Sequence, residues 1–555
     1  MTSEKELVFV ALGGLGEIGM NMALYGYGPE HDRRWLMVDC GVTFAGPDLP
    51  GVDVVVPDTS FIEEQRGRLE GIVITHAHED HYGALVHLWP RLQAPLYMTP
   101  FTAGLLAAKR ESEPGAPEMP VHVVEQGGRI ALGPFEVELV AMSHSIPEPC
   151  ALAIRTPAGT VVHSGDWKID PTPGVGKPID IDRLAEIGRE GVTALICDST
   201  NAVRDGVSPS EADVAAELAN VIRGAKRRVA IATFASNVAR IRSIALAAKA
   251  CERDVVVMGR SMHRVIDVAG ELGYLDDLPA FLSEDAYGYL PPEKVVLLVT
   301  GSQGEERAAL ARIAAGDHRN VALSRGDMVV FSSRTIPGNE KAVNAIINKL
   351  AEARVEIVTD REALVHVSGH PRRGELTRLY DLLQPQALIP AHGEAMHLRA
   401  QRDLARAHGI ADTLIARNGD IVRLAPGKLK RLDEIACGIL VKDGLLLGDP
   451  EETGVNERRK LSFAGSVVVS VVVDAKGALV GEPQVALFGL PEVDEEGDDM
   501  EDIVIDEVID ALESIPKNRR KDDGLVAEAA RRAARAAVRE CWGKKPLTQA
   551  LVMRV

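Results

Sequence analysis

The sequence predicts a layered α/β protein with a second α/β domain inserted into the first and a small α+β domain at the C-terminal end. Three observations carry this. Apolar, strand-like segments repeatedly end on a single His or Asp, the edge at which layered α/β folds build their sites. From Pro209 to about Ala351 the texture changes to Ala/Val/Ile-spaced helices alternating with short strands, the pattern of a separate parallel sheet. Candidate ligand residues lie on both sides of that stretch, at 76–198 and 370–392, so the chain of the first domain leaves and then returns near residue 352.

In chain order, Leu7–Leu12 reads as a strand. The formal Gly-x-Gly-x-x-Gly that follows, Gly14 to Gly19, resembles a dinucleotide motif. The next segment from Asn21 is strand-like rather than a long helix, so a tight glycine turn between strands is the better reading. Leu36–Val38 is a strand ending on Asp39, which is placed to sit behind a metal site and orient a ligating His. Gly71–Thr75 is a buried strand, followed by His76, His78, Asp80 and His81. In extended chain His76 and His78 share a face. Asp80 and His81 open the helix-like run Tyr82–Trp89 and can aim at a second point, so one pair per metal suggests two metals. This is not the His-Glu-x-x-His zinc helix, because position 82 is Tyr. The strand-then-ligand design recurs: Val137–Met142 with His144, Thr160–Ser164 with Asp166, Ala194–Cys197 with Asp198, Ala363–Val367 with His370, and Gln386–Pro390 with His392. His163 lies inside a strand and reads equally as core packing or as support for Asp166.

In the insert, the strands Val229–Phe234, Asp254–Met258, Val295–Thr300 and Met328–Phe331 alternate with helices and polar, glycine-bearing turns. Residues 430–460 show no clear period and read as a connector. Beyond it come a strand at Ser466–Val473, an acidic loop, an amphipathic helix at Asp522–Cys541 and a last strand at Leu547–Val555. The tail suits packing or subunit contact, and the helix's Arg531, Arg532, Arg535 and Arg539 read as a solvated face.

At 555 residues the chain is long enough for two to four domains. No apolar stretch is long enough to span a bilayer, and the charged N-terminus does not read as a signal peptide. Six scattered Cys without a Cys-x-x-Cys fit buried thiols in a reducing compartment, so a cytoplasmic location is expected. The net charge of −19 argues against nucleic acid, but Arg223–Arg264 holds ten Lys or Arg and two acids, a local sum of +8 that reads equally as solvated helix faces or as a local positive field. His31, His87, His122, His263, His318, His397 and His408 read as surface or packing residues.

The pattern His76-x-His78-x-Asp80-His81, with His144, Asp166 and His392, resembles the metallo-β-lactamase fold. The insert, with Asp198-Ser-Thr, His370 and His392, resembles the β-CASP branch, whose members cut nucleic acids. Further stretches, among them Gly13–Asn21, Gly165-Asp-Trp-Lys168, Thr233–Asn237, Gly301–Glu305, His366–His370 and Trp542–Pro546, are similar to the bacterial ribonuclease J family across nearly the whole chain. The implied architecture is an αββα metallo-β-lactamase sandwich with an inserted β-CASP domain and an α+β C-terminal domain. The boundaries are 1–208 and 352–430 for the sandwich, 209–351 for the insert, 431–460 for a linker and 461–555 for the tail.

The resemblance implies two zinc ions, for which manganese or magnesium can substitute: His76, His78 and His144 would hold one, Asp80, His81 and His392 the other, and Asp166 would bridge them. His392 favours RNA over DNA. Phosphate and base contacts map onto Phe234, Ala235 and Ser236 and onto His366, Val367, Ser368, Gly369 and His370. Asp80, His370 and Asp198 are the expected catalytic residues, with His370 acting on the scissile phosphate or departing 3′ oxygen and Asp198 orienting its ring. Two metals supply a hydroxide nucleophile and neutralise charge.

The expected activity is 5′-to-3′ exonuclease action on 5′-monophosphate, single-stranded RNA with additional endonuclease cuts, in mRNA decay and rRNA maturation. A homo-oligomer (dimer or tetramer) through the tail and RNA-degradation partners are also implied. Some relatives carry a structural calcium, and Asp53 lies in the matching region without being assigned. Trp167 stands where Phe is usual, and Glu148 where Asp is usual. Two rivals are weaker: a small-molecule metallohydrolase of this fold lacks the insert, and a silent scaffold loses ligands.

Overall fold

Long apolar strands buried on both faces can only sit between layers, and that requirement shapes the first of two compact units in the computed structural model, which describes residues 5–336 and 338–555. This unit takes the chain to Thr43 and then Val56–Gly438; the second unit takes Phe44–Val55 and Ile439–Val555.

Two sheets face each other in the first unit. The eight-stranded sheet runs, in spatial order, Lys430–Glu434, Asp420–Ala425, Glu6–Gly13, Met22–Gly28, Arg34–Val38, Leu69–Val73, Leu96–Met98 and Val121–Val123. The seven-stranded sheet runs Asp412–Thr413, Ala387–Ala391, Ala194–Asp198, Gly159–His163, Cys150–Thr156, Phe135–Ala141 and Arg129–Leu132. Leu7, Phe9, Tyr25, Leu36 and Val73 of one sheet pack on Leu139, Leu152, Ile154, Ile196 and Ile389 of the other. Alternate residues of the first sheet, Val8, Val10, Met37 and Ile72, are buried on its opposite face. On the far side of the second sheet, Leu195 and Leu388 meet Leu184 and Ile187 of helix Ile181–Glu190 and Leu376, Leu379 and Leu383 of helix Arg373–Leu383. This is the αββα sandwich that the resemblance implies.

The insert is entered at Ser210, which caps helix Glu211–Gly224 in a reciprocal box with Asp213. Its five strands are all parallel, in the order Asp254–Met258, Val295–Val299, Val229–Ala232, Met328–Phe331 and Glu356–Val358. The last strand lies beyond residue 351, so the insert's sheet is completed by chain that sequence reading gave to the sandwich.

In the second unit, Ser466–Val473 is central, antiparallel to Gln484–Phe488 and parallel to Leu547–Arg554. Val467, Val469, Val471 and Val473 pack under helices Met500–Ser514 and Asp523–Trp542.

Three expectations need correction. Residues 430–460 are not a featureless connector: Lys430–Glu434 is an edge strand, Ile439–Asp443 pairs with Leu446–Gly448, and Val455–Ala464 is a helix. An edge strand needs no apolar run, and charges protect it. Half of the acidic run expected as a loop is helix Met500–Ser514, started by the Asp499 side chain on the amides of Glu501 and Asp502. Ala363–Val367 is not a strand; the Val365 carbonyl is bonded by side chains instead.

Leu152 is fully buried between the sheets, so Leu152→Ala should cost about 2–5 kcal/mol through the cavity it leaves. A lower urea midpoint for the first unit's transition is the expected reading, and an unchanged midpoint would show that the site collapses.

Candidate metal centre

After Leu69–Val73 the chain stays extended to His78, which starts the single turn Glu79–Tyr82. Asp39, at the end of the neighbouring strand, organises this segment. Its φ of 64° turns the buried carboxylate inward, a conformation Asp tolerates better than most residues. Asp39 accepts from the Thr75 amide at 2.7 Å, the Thr75 hydroxyl at 2.9 Å and His81 Nδ1 at 2.7 Å. Gly41 is required beside it, because a Cβ there would fall 1.8 Å from the Asp80 carbonyl oxygen. Asp39 therefore sits where sequence reading put it, behind His81.

The seven expected ligands converge. His76, His78, His144 and Asp166 form one group and Asp80, His81, Asp166 and His392 a second, and Asp166 belongs to both. Asp166 Oδ2 lies 3.3 Å from His81 Nε2, 3.5 Å from His392 Nε2, 3.7 Å from His144 Nε2 and 3.8 Å from His76 Nε2. His392 Nε2 is 3.2 Å from Asp80 Oδ2. His78 Nδ1 is 3.1 Å from both His76 Nε2 and His144 Nε2.

Outer partners decide which ring nitrogen faces inward. His81 Nδ1 is taken by Asp39 and His144 Nδ1 by the Gly369 carbonyl at 2.7 Å. The Thr200 hydroxyl donates to the His392 carbonyl and so accepts from His392 Nδ1 at 2.9 Å. Thr75 Oγ1, donating to Asp39, likewise accepts from His76 Nδ1 at 3.0 Å. Four Nε2 lone pairs are thereby aimed at the centre, the arrangement that fixes tautomers in metal sites. Gly369 must be glycine, since a Cβ would come within 2.4 Å of the His144 ring.

These residues fit metal ions. His78 Nδ1 can donate a proton to at most one of the two Nε2 atoms 3.1 Å away, so lone pairs stay opposed unless a cation sits among the three nitrogens, and bonds of about 2.0–2.1 Å to a tetrahedral zinc impose a similar spacing. Asp166 Oδ1 is buried without a hydrogen-bond partner, which a shared cation would answer. In the protein's own charge balance, burial holds His78 down to about 4 and His76 and His144 well below the ordinary imidazole value. Burial also works against protonation of His392, but Asp166 and the bond to Asp80 push it up to about 9.

His370 stands beside this centre. Its Nδ1 is 2.8 Å from Asp198 Oδ2 and 3.9 Å from Asp166 Oδ2, and with 19 % of its side chain exposed it is more open than His76, His81, His144 or His392. Burial lowers its pKa, and Asp198 and Asp166 together raise it more.

Models of four domains match the chain: the ribonuclease J β-CASP domain over residues 226–350, the ribonuclease J C-terminal domain over 453–555, a β-lactamase superfamily domain over 34–187 and a Zn-dependent metallo-hydrolase RNA specificity domain over 354–415. The chain is 56% identical to ribonuclease J of Sinorhizobium meliloti over its whole length, covering 98% of that protein. It belongs to the ribonuclease J family. Ribonuclease J of Mycolicibacterium smegmatis is 40% identical over 98% of this chain and 97% of its own. A solved structure of a protein of unknown function from Enterococcus faecalis V583 shares the fold, with a TM-score of 0.53 at 16% identity over 75% of this chain and all of its own.

In this ribonuclease J family member the half-buried turn Phe234–Ser236 follows strand Val229–Ala232, and residues 366–370 reach the centre through Gly369. His366 is largely buried, and its Nδ1 has no hydrogen-bond partner. Five of the ten basic residues of the +8 stretch are tied up in contacts inside the protein. Arg240 is buried on Glu211, Arg242 pairs with Asp277, Arg227 and Arg228 pair with Asp327, and Arg253 binds the Ala225 and Arg227 carbonyls. Asp53 accepts from the Gly444 amide, and among the described residues no metal-competent group includes it. His163 bonds Tyr25 OH at 2.8 Å. Thr75 and Thr200 were missed, because a Thr after a strand carries no distinguishing signal.

Protons and metal compete for the His392 Nε2 lone pair. With that pKa at about 9 in the metal-free centre, zinc affinity should rise with pH up to about 9, with protons released on binding. Asp39→Asn should weaken zinc binding about 10–100-fold in chelator competition; unchanged affinity would remove Asp39 from the orienting role.

Proposed function

We propose that this metal-dependent ribonuclease removes nucleotides from the 5′ end of single-stranded RNA, prefers a 5′-monophosphate, and also cuts internally. The observation that supports this best is the meeting of six His and Asp ligands around one shared carboxylate, Asp166, next to His370 and the loop that carries it. Two zinc ions would be held by His76, His78 and His144 and by Asp80, His81 and His392, with Asp166 common to both. When bound, such ions lower the pKa of water toward neutrality and stabilise charge on phosphate oxygens.

The chain's own residues supply the rest. Asp166 holds the two halves of the centre in register. Asp198 fixes the His370 ring through Nδ1, which leaves Nε2 to hold a proton for the departing 3′ oxygen. Ser236, Ser368 and Gly369 offer hydroxyl and amide donors of the kind that cradle a terminal phosphate. Ser368 Oγ accepts from Asn201 at 2.9 Å, which sets its orientation. Products would carry a 5′-phosphate and a 3′-hydroxyl.

The metallohydrolase alternative is disfavoured by the parallel-sheet insert, and the scaffold alternative by the complete ligand set. A cytoplasmic setting is supported by six cysteines without disulfides, and among the described residues no helix is long and apolar enough to cross a membrane. A dimer or tetramer through the C-terminal unit is supported by its open sheet face, where Phe488, Leu551 and Met553 are 61%, 48% and 54% exposed.

Digestion of 5′-monophosphate, 5′-triphosphate and 5′-hydroxyl RNAs of one sequence should release mononucleotides fastest from the first, and a chelator should stop all three. Equal rates would remove the end preference. His370→Ala should lower the rate about 10²–10⁴-fold with zinc retained, if it works as a general acid; a near-normal rate would remove that role. Met553→Glu should shift sedimentation toward the monomer, and an unaltered profile would move the subunit contact elsewhere.

A further inference from the structure

Arg240 is fully buried, and its hydrogen bonds run to Asn237 and Val365, the residues that flank the two substrate-binding segments assigned above. Its helix, Val238–Ala250, begins directly after the Phe234–Ser236 turn. The Arg240 amide donates to Asn237 Oδ1 at 2.9 Å, the Val238 amide to the Ser236 carbonyl at 2.9 Å, and the Asn237 amide to the Phe234 carbonyl at 3.2 Å. The same residue's guanidinium reaches the other loop. Nη1 donates to the Val365 carbonyl at 3.0 Å, the Ser332 carbonyl at 3.1 Å and Ser332 Oγ at 2.6 Å. Ser332 Oγ in turn donates to the Val365 carbonyl at 2.6 Å. Val365 immediately precedes His366.

The other edge of the guanidinium leads to the metal ligands. Nε and Nη2 donate to Glu211 at 3.0–3.2 Å. The Glu211 amide donates to Asp170 Oδ2 at 2.9 Å, and Asp170 pairs with Lys168 Nζ at 2.8 Å. The Lys168 amide holds the Ser143 carbonyl at 2.7 Å. Lys168 lies two residues after Asp166, and Ser143 directly before His144. Lys168, Asp170, Glu211 and Arg240 are all buried and sum to zero charge, so none of them can meet RNA.

We propose that Arg240 is a positioning residue that fixes the Phe234–Ser236 turn and the His366–His370 loop at a set distance from the metal ligands, and so sets the step between a bound 5′ end and the cut bond. Burying four charges is costly, and a well-packed apolar cluster would stabilise the fold as well. What the ions add is direction: a planar fork with five donors ties three loops at fixed angles, which a point charge does not. This inference rests on the exonucleolytic reading above.

The test uses the full-length, zinc-loaded protein with 5′-monophosphate and 5′-hydroxyl RNAs of one sequence, bis(p-nitrophenyl) phosphate as a diester too small to span the loops, and zinc content by mass spectrometry. Arg240→Lys keeps the charge and loses the fork. Ser332→Ala keeps all four charges and serves alone if Arg240→Lys does not fold. Each variant should lose about tenfold or more of the preference for the monophosphate RNA, through KM, because misplacement of a bound end is costly. Zinc content and small-diester hydrolysis should stay near wild type. Variants that keep the preference, or lose all activities and zinc together, overturn the assignment. A wild-type protein without end preference overturns the exonucleolytic reading itself, and this inference with it.

Discussion

A carboxylate facing five imidazoles cannot be built by any one segment of chain. Asp166 lies within 4 Å of nitrogens from His76, His81, His144, His370 and His392, each delivered by a different strand end or turn. The two sheets make this possible because they pack face to face and present their ligand-bearing ends at one edge. The buried layer between them, from Leu7 and Phe9 to Leu152 and Ile389, holds those ends in place. The core is therefore the frame in which second partners such as Asp39, Thr200 and the Gly369 carbonyl turn each ring the same way. Without a cation the centre divides its protons unevenly: His392 is pushed up while His76, His78 and His144 are held down. A site so divided is poised to exchange protons for metal.

Much of this was legible in the sequence because a buried strand is an apolar run, and a His or Asp at its end breaks the run visibly. His76, His78, Asp80, His81, His144, Asp166, Asp198 and His392 all stand out this way, and Asp39 did so by the same signal. His370 was found by its neighbours although the segment before it is not a strand. In residues 363–367, Val365 and Val367 are buried, but the Val365 carbonyl bonds to side chains from other elements, and no local pattern records that. Lys430–Glu434 failed for the opposite reason: a strand at a charged edge has no apolar alternation to read. Helix Met500–Ser514 hid inside an acidic run, because its buried residues, Met500, Val504, Val508 and Leu512, are interleaved with acids.

The basic stretch shows where charge counting stops being informative. Arg227 and Arg228 share Asp327, about a hundred positions away, while Arg240 pairs with Glu211 and Arg242 with Asp277. Counting those three acids, the local sum of +8 in the sequence falls to +5, so the long-range field over a phosphate backbone is weaker than the sequence count implies. For a chain of formal charge −19, the proposed recognition of RNA leans on short-range groups: the centre itself, amide and hydroxyl donors at Ser236, Ser368 and Gly369, and their spacing. Short-range donors act only when held in the right place. That is why a buried, RNA-inaccessible arginine can matter to substrate recognition more than an exposed one: the exposed charge adds attraction that salt screens away, while the buried fork decides whether the donors and the ligands address the same strand at the same time.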